Sequence, residues 1–190
     1  MRENEFCVRK TANNRRDVPS PAIFLDRDGV INFDKNYVHK VEDFEFIPGA
    51  IEGLQKLRDA GFKLFIITNQ SGIGRGIYTE KDMLKLHDFM LAELEKHGIT
   101  IDCIYYCPHR SDEGCDCRKP NPKFVLEAAK KFDLDLGASW FIGDRDVDVN
   151  CGKNAGVRTI MVGNTETPDC EPDFKEKDLL EAVGVVSNEQ

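Results

Sequence analysis

The sequence predicts an α/β domain built on a parallel sheet with helices on both faces. Short apolar runs alternate with helix-length amphipathic stretches along most of the 190 residues, the pattern of successive strand–helix units. Three of the apolar runs also stop at polar, reactive residues: Asp26 and Asp28, then Thr68, then Asp144. In open α/β sheets, ligands bind beyond the carboxyl ends of the strands, so these positions are expected to converge.

Met1 to about Ser20 is polar and aperiodic and ends in Pro19-Ser20-Pro21. It is expected to be a disordered extension ahead of a single domain, 21–190. Ala22 to Leu25 is a strand candidate. Pro48-Gly49 opens a helix with Ile51, Leu54 and Leu57 on one face, closed by Gly61. Phe62 to Ile67 is the next strand, followed by the polar stretch from Thr68 to Gly72. A long helix spans about Glu80 to His97, with Thr79 and Asp82 placed as a capping box and Gly98 as its C-cap. Asp102 to Tyr106 reads as a strand, Lys123 to Phe132 as a helix and Ser139 to Ile142 as a strand. A short helix to Gly156 and a strand from Arg158 to Val162 follow, and Asp173 to Val183 is expected to be helical.

Hydrophobic residues make up 41% and charged residues 32%, an ordinary globular balance. The formal net charge of −8 opposes nonspecific binding to nucleic acid or an anionic membrane, both of which need a basic face. No apolar run approaches the roughly 18 residues of a membrane span, and the N-terminal arginines precede no apolar segment of the kind a secretory signal needs. Seven cysteines, an odd number, without such a signal predict reduced thiols rather than a disulfide framework, and a cytoplasmic location. A monomer is expected.

The chemistry concentrates in four places. Two aspartates at i and i+2, Asp26 and Asp28, would in isolation more often be a solvated turn. Here they precede Gly29-Val30 after an apolar strand and are accompanied by Thr68 after another strand, by Lys119, and by Gly143-Asp144-Arg145-x-x-Asp148. With these motifs in this order over most of Ala22 to Val162, the chain resembles the haloacid dehalogenase (HAD) superfamily of phosphotransferases. The resemblance implies a Rossmann-like fold and a nucleophilic Asp26 that forms an aspartyl-phosphate. It implies Asp28 as general acid and base, with Thr68 and Lys119 stabilising the transferring phosphoryl group. It also implies catalytic Mg²⁺ on the Asp26 carboxylate, the Asp28 backbone carbonyl and Asp144, a hard-ion oxygen set. For Asp148, orienting Lys119 and capping a helix remain equal alternatives. No long insertion follows the first strand or separates Thr68 from Lys119, so no large cap domain is expected.

Cys107-Pro108-His109 is followed by Cys115-Asp116-Cys117. A disulfide, or unrelated cysteines beside a surface histidine, are the bland readings. Four soft or borderline ligands in one short loop favour a tetrahedral, fully protein-ligated structural Zn²⁺ instead. The loop ends at Arg118-Lys119-Pro120, so the metal would anchor the backbone presenting both cations. The run C-P-H…C-D-C-R-K-P narrows the resemblance to a HAD subgroup acting on heptose 1,7-bisphosphate or histidinol phosphate.

Thr68-Asn69-Gln70-Ser71-Gly72-Ile73-Gly74-Arg75-Gly76 and Tyr37-Val38-His39 are similar to the heptose-bisphosphate branch. The resemblance implies removal of the 7-phosphate of D-glycero-D-manno-heptose 1,7-bisphosphate. Histidinol phosphate is the alternative substrate, and a catalytically silent binding module the alternative of another class. It further implies substrate contacts from Arg27, from Asp34, Lys35, Asn36 and Tyr37, from Asn69, Gln70 and Ser71, and from Arg118 and Arg145. A phosphorylated sugar is the expected partner.

Overall fold

A computed structural model of the chain describes residues 5–7, 18–163 and 170–189. Residues 1–4 and 8–17 of the expected extension lie outside them. Strand β1 is Glu5–Phe6, β2 Ser20–Leu25, β3 Lys63–Asn69, β4 Cys103–Cys107, β5 Leu134–Gly143, β6 Arg158–Val162 and β7 Phe174–Glu176. Helix α1 is Ala50–Asp59, α2 Ser71–Gly74, α3 Glu80–Lys96, α4 Lys123–Phe132, α5 Asp146–Ala155 and α6 Leu179–Asn188.

The sheet order is β1-β4-β3-β2-β5-β6-β7. From β2 onward every pairing is parallel. The chain steps outward from β2 through β3 to β4, then returns to β2's other side with β5 and continues through β6 to β7. The strand order therefore reverses at β2, and the crevice beyond its carboxyl end is the switch point where ligands bind in such sheets.

Side-chain alternation divides the core into two layers. Ile23 and Leu25 of β2 pack with Leu64, Ile66, Ile104, Ile142 and Ile160 beneath α1, α3 and α6. Ala22 and Phe24 face the other way, against Phe65, Ile67, Tyr105 and Phe141 beneath α4 and α5. Phe24 stacks on Phe65 at 5.4 Å and on Phe141 at 6.4 Å between ring centroids, so the middle of the second layer is aromatic. Both faces of the central strands are buried, which is why they read as continuous apolar runs.

Most expected elements are present. The capping box of α3 is formed: Asp82 N–H donates to Thr79 Oγ1 and Thr79 N–H to Asp82 Oδ2. Gly98 follows α3 at φ 70°, a left-handed conformation that glycine adopts without steric cost. No inserted domain lies among the described residues between β2 and α1, where the regular structure is a 3-10 turn at Val41–Asp43.

The edges differ from expectation. Glu5–Phe6, inside the expected tail, pairs antiparallel with β4 in the register Glu5↔Tyr105 and Phe6↔Ile104. That register brings Cys7 opposite Cys103, and the two form a disulfide, correcting the expectation that the thiols stay unpaired. The segment expected to be one helix from Asp173 splits into β7 and α6. Phe174 opposes Ile160 of β6, Asp173 Oδ2 accepts from Thr159 N–H at 2.7 Å, and Asp178 caps α6 by accepting from Glu181 N–H at 3.0 Å. A three-residue strand is too short to show alternation, and the open edge of β6 supplies the hydrogen bonds that win over helix.

Candidate active site

The carboxyl ends of β2, β3 and β5 and the loop after β4 meet around a cavity of about 400 Å³. Asp26 leaves β2 at its floor, with its backbone N–H donating to Ile142 O at 3.1 Å. Its side chain is nearly buried and lies 3.0 Å from Lys119 Nζ. Lys119, only 1% exposed, also reaches Asp148 Oδ1 at 2.6 Å and donates to Ile67 O at 2.7 Å. The peptide between Lys119 and Pro120 is cis. Asp148 does both things its position allowed: besides holding Lys119, its Oδ2 accepts from Arg145 N–H at 3.1 Å at the start of α5.

Asp26, Asp144 and Asp148 offer oxygens within 4.8 Å of one another. Like charges this close raise carboxyl pKa values, and burial adds to the effect. Burial pushes Asp26 up to about 8, with Lys119 opposing and Asp148, Asp144 and Asp28 reinforcing the shift. Burial, with Asp148, pushes Asp144 up to about 6. Burial works against the Lys119 ammonium, but Asp148 and Asp26 outweigh it and hold the group protonated.

This set fits a hard divalent cation. Asp144 Oδ1 is buried without a hydrogen-bond partner, and such a group ordinarily has a ligand. Asp144 also packs tightly on Gly29, where a Cβ would come within 2.2 Å of its Oδ2. The glycine after the two aspartates thus makes room for the third carboxylate.

Asp28 is held differently. Its Oδ1 accepts from Asn32 Nδ2 at 2.9 Å and Arg27 Nη2 at 3.0 Å, and its Oδ2 from Arg27 Nη2 at 2.9 Å and Gln70 Nε2 at 3.1 Å. Thr68 Oγ1 accepts from the same Gln70 nitrogen at 2.8 Å. Asn69 clamps the Lys119 backbone in both directions, its Oδ1 accepting at 3.1 Å and its Nδ2 donating at 3.3 Å.

A second cluster lies in the loop leading to Lys119. Cys107, His109, Cys115 and Cys117 bring their ligand atoms within 4.8 Å of one another. The sulfur–sulfur distances are 3.3, 3.5 and 3.7 Å, and His109 Nδ1 lies 3.6 and 3.3 Å from Cys107 and Cys117. A tetrahedron with metal–sulfur bonds of about 2.3 Å has edges of roughly 3.8 Å, so the four atoms already stand near the corners of a metal site.

Comparisons with known proteins agree with this geometry. The HAD-hydrolase-like family model matches residues 116–184. The D-glycero-alpha-D-manno-heptose-1,7-bisphosphate 7-phosphatase of Campylobacter jejuni is 52% identical over 145 residues, 76% of this chain and 83% of that protein. The beta-anomer 7-phosphatase of Helicobacter pylori strain 26695 is 46% identical over 163 residues, 82% of this chain and 94% of that protein. The crystal structure of the D,D-heptose 1,7-bisphosphate phosphatase of B. bronchiseptica, complexed with magnesium and phosphate, superposes with a TM-score of 0.83 at 31% identity. It covers 90% of this chain and 99% of that one. The chain belongs to the heptose-bisphosphate phosphatase family of the HAD superfamily.

Of the residues expected to touch substrate in this family, Asp34, Asn36, Tyr37, Asn69, Gln70, Ser71, Arg118 and Arg145 line the cavity, together with Asp26, Asp28, Thr68 and Lys119. Two do not. Arg27 is fully buried behind Asp28, also donating to Val38 O at 2.8 Å and paired with His87 Nε2 at 3.1 Å. A guanidinium can only donate, so His87 accepts on Nε2 and is neutral; burial, then Arg27, holds its pKa well below the usual value. Lys35 points outward to Glu45 at 2.8 Å. Gln70 reaches the cavity, but both ends of its amide are engaged by protein. Arg145 is paired with Asp34, whereas among the described residues the Arg118 side chain makes one bond, to His109 O at 3.3 Å. Arg75, Tyr78, Asp146 and Val147 also line the cavity, beyond the residues expected to touch substrate. Arg75 was visible in Gly-Arg-Gly, while Tyr78 carried no signal in the sequence.

The raised carboxyl pKa values set a pH dependence. In the unfolded chain these groups lose their protons near 3.8, whereas the folded protein keeps them to about 6 and about 8. Between those limits the folded state binds more protons, so this cluster's contribution to metal-free stability falls as pH rises. A bound divalent cation favours the ionised form and reverses the loss. Thermal melts with and without Mg²⁺ should therefore show a larger Mg²⁺-induced rise in Tm at about pH 8 than at about pH 6. A shift independent of pH would contradict this electrostatic account.

Proposed function

We propose that the protein hydrolyses a phosphomonoester through an aspartyl-phosphate on Asp26, and that the substrate is D-glycero-D-manno-heptose 1,7-bisphosphate, cleaved at the 7-phosphate. The observation that carries this reading is the Asp26–Lys119–Asp148 ion chain at the sheet's switch point, at the floor of a cavity with arginines at its sides. The names of the relatives in both anomeric forms support the substrate.

In the first half-reaction an Asp26 oxygen forms a bond to phosphorus. The bond from phosphorus to the sugar oxygen breaks with its electron pair going to that oxygen, which takes a proton from Asp28. In the second, Asp28 removes a proton from water as the water oxygen attacks phosphorus, and phosphate leaves as the Asp26 carboxylate is restored. The Thr68 hydroxyl donates to a phosphoryl oxygen, and the Lys119 ammonium, whose three hydrogens face Asp26, Asp148 and Ile67 O, stabilises the phosphoryl charge through its own charge, a preorganised arrangement that acts most strongly on the transition state. Asp26, Asp144 and the Asp28 carbonyl would hold Mg²⁺, which supplies charge neutralisation between the carboxylates and the phosphate.

Cys107, His109, Cys115 and Cys117 would hold Zn²⁺. With four protein ligands no position is left for substrate, so its role is structural. It would brace a loop that already docks on the site: Gly74 N–H donates to Pro108 O at 2.9 Å and Gln70 N–H to Cys107 O at 2.7 Å.

The bisphosphate's distal phosphate needs cations not already neutralised. Arg145 is partly spent on Asp34, leaving Arg118 and the exposed Arg75 as the stronger partners.

Asp26→Asn should abolish turnover in a folded protein, because an amide cannot form the acyl phosphate. Retained activity would overturn the mechanism. Cys115→Ser should purify with less zinc by elemental analysis and show faster hydrogen exchange across 107–117; full zinc content and unchanged exchange would contradict the site. Arg118→Ala should lose about 1.5–3 kcal/mol of transition-state binding, roughly one to two decades in kcat/KM, on the bisphosphate and little on a sugar monophosphate. Lys119→Ala should harm both. Equal losses on both substrates for Arg118→Ala would remove the distal-phosphate role, and a wild-type preference for histidinol phosphate over either heptose anomer would replace the substrate.

A further inference from the structure

We propose that Tyr78 is a positioning residue of the active site: it sets the direction of the Gln70 amide and, through that amide, the hydrogen bonds of both Asp28 and Thr68. The inference rests on the phosphatase reading above and deepens it.

Gln70 is 3% exposed and Tyr78 5%, so neither group exchanges its bonds freely with water. The Tyr78 hydroxyl donates to Gln70 Oε1 at 2.5 Å. With Oε1 fixed, Nε2 is turned toward Asp28 Oδ2 at 3.1 Å and Thr68 Oγ1 at 2.8 Å, using both of its hydrogens. Reversing the amide would set Oε1 against the Asp28 carboxylate, acceptor facing acceptor. It would also remove the donor from Thr68. Because Thr68 Oγ1 already accepts from Gln70, its own hydrogen is free to point elsewhere, and the cavity it lines is where a phosphoryl oxygen would accept it. One buried amide thus orients the proposed acid–base carboxylate and keeps the proposed phosphoryl-binding hydroxyl a donor.

The Tyr78 ring is held independently of its hydroxyl. His39 stacks on it at 4.8 Å between centroids with 8° between planes, and His39 Nδ1 lies 2.7 Å from Tyr37 O. The ring also fills the space at Gly72, where a Cβ would come within 2.1 Å of Tyr78 Cε1. Burial pushes the phenol up to about 12, so the hydroxyl keeps the proton it donates. These contacts explain why a residue outside the phosphatase motifs is placed this tightly: a mobile ring would leave the amide undirected.

The test is a double-mutant cycle in the full chain, assayed on a sugar bisphosphate and on a simple phosphomonoester. Tyr78→Phe keeps the ring, the stack and the fit over Gly72 and removes only the hydroxyl. It should lower kcat about five- to tenfold on both substrates, the scale of one buried hydrogen bond, with KM changed less than about twofold. In a Gln70→Met background, near the original side-chain volume, the same change should cost less than about twofold, because the amide it acts through is gone. Gln70→Ala serves as a second background if Gln70→Met does not fold. Equal losses in both backgrounds, a rise in KM at constant kcat, or an unchanged kcat would each overturn the assignment. A wild-type protein that hydrolyses no phosphomonoester would defeat the phosphatase reading and this one together. A wild type that is active but shows equal losses in both backgrounds would defeat this one alone.

Discussion

The rest of the site depends on one buried ammonium. Lys119 lies 3.0 Å from Asp26 and 2.6 Å from Asp148, and Asp144 belongs to the same cluster of oxygens. Three carboxylates against one lysine leave two negative charges when all are ionised, which matches one divalent cation. Isolated buried charges are costly, and paired ones persist where geometry and further hydrogen bonds satisfy them. Here the lysine also bonds Ile67 O, and Asp148 also bonds the start of α5. Metal-free, the cluster relieves its repulsion by holding protons to higher pH, to about 6 on Asp144 and about 8 on Asp26. Loaded with a divalent cation, it would present Asp26, the proposed nucleophile, in its ionised form.

The fold delivers these groups from positions far apart in sequence. Asp26 ends β2, Thr68 lies near the end of β3, and Asp144 follows β5, so the central strands aim them at one crevice. Lys119 is not on a strand. It arrives on a loop held by Asn69 on one side and by the Cys/His cluster on the other. A metal in that cluster would stiffen an otherwise sparsely packed loop and fix the reach of the lysine. Gly143 serves the same end: a Cβ there would come within 2.1 Å of Asp148 Cβ, so glycine lets α5 fold back close enough for Asp148 to meet the ammonium.

The two aspartates of the first motif, two residues apart, occupy unlike surroundings. Asp26 lies among carboxylates with Lys119 as its cation. The hydrogen bonds that Asp28 accepts among the described residues come from Arg27, Asn32 and Gln70. The roles proposed for them, nucleophile and acid–base group, would act in environments that differ in charge; β2 ends at Leu25, so strand alternation does not hold the two side chains on one face. Arg27, between them, is consumed in building the second environment, which is why it makes no wall of the cavity.

The sequence by itself determined the alternating α/β order, the bounds of α4 and β6, the capping box of α3, the polar residues at the strand ends and the four side chains that cluster in the Cys/His loop. These follow from local periodicity, from residue chemistry and from motif order. Tertiary structure decided what depends on partners remote in the chain. The edge pairings of β1 and β7 and the Cys7–Cys103 bond arise from exposed sheet edges, which a short polar strand does not announce. Arg27 and Lys35 sit among site motifs yet turn to His87 and Glu45, since a motif gives a residue's position but not its rotamer. Tyr78 is linked by hydrogen bonds to Asp28 by way of Gln70. A hydrogen bond between side chains is set by distance and direction in space, and neither is written in the order of the residues.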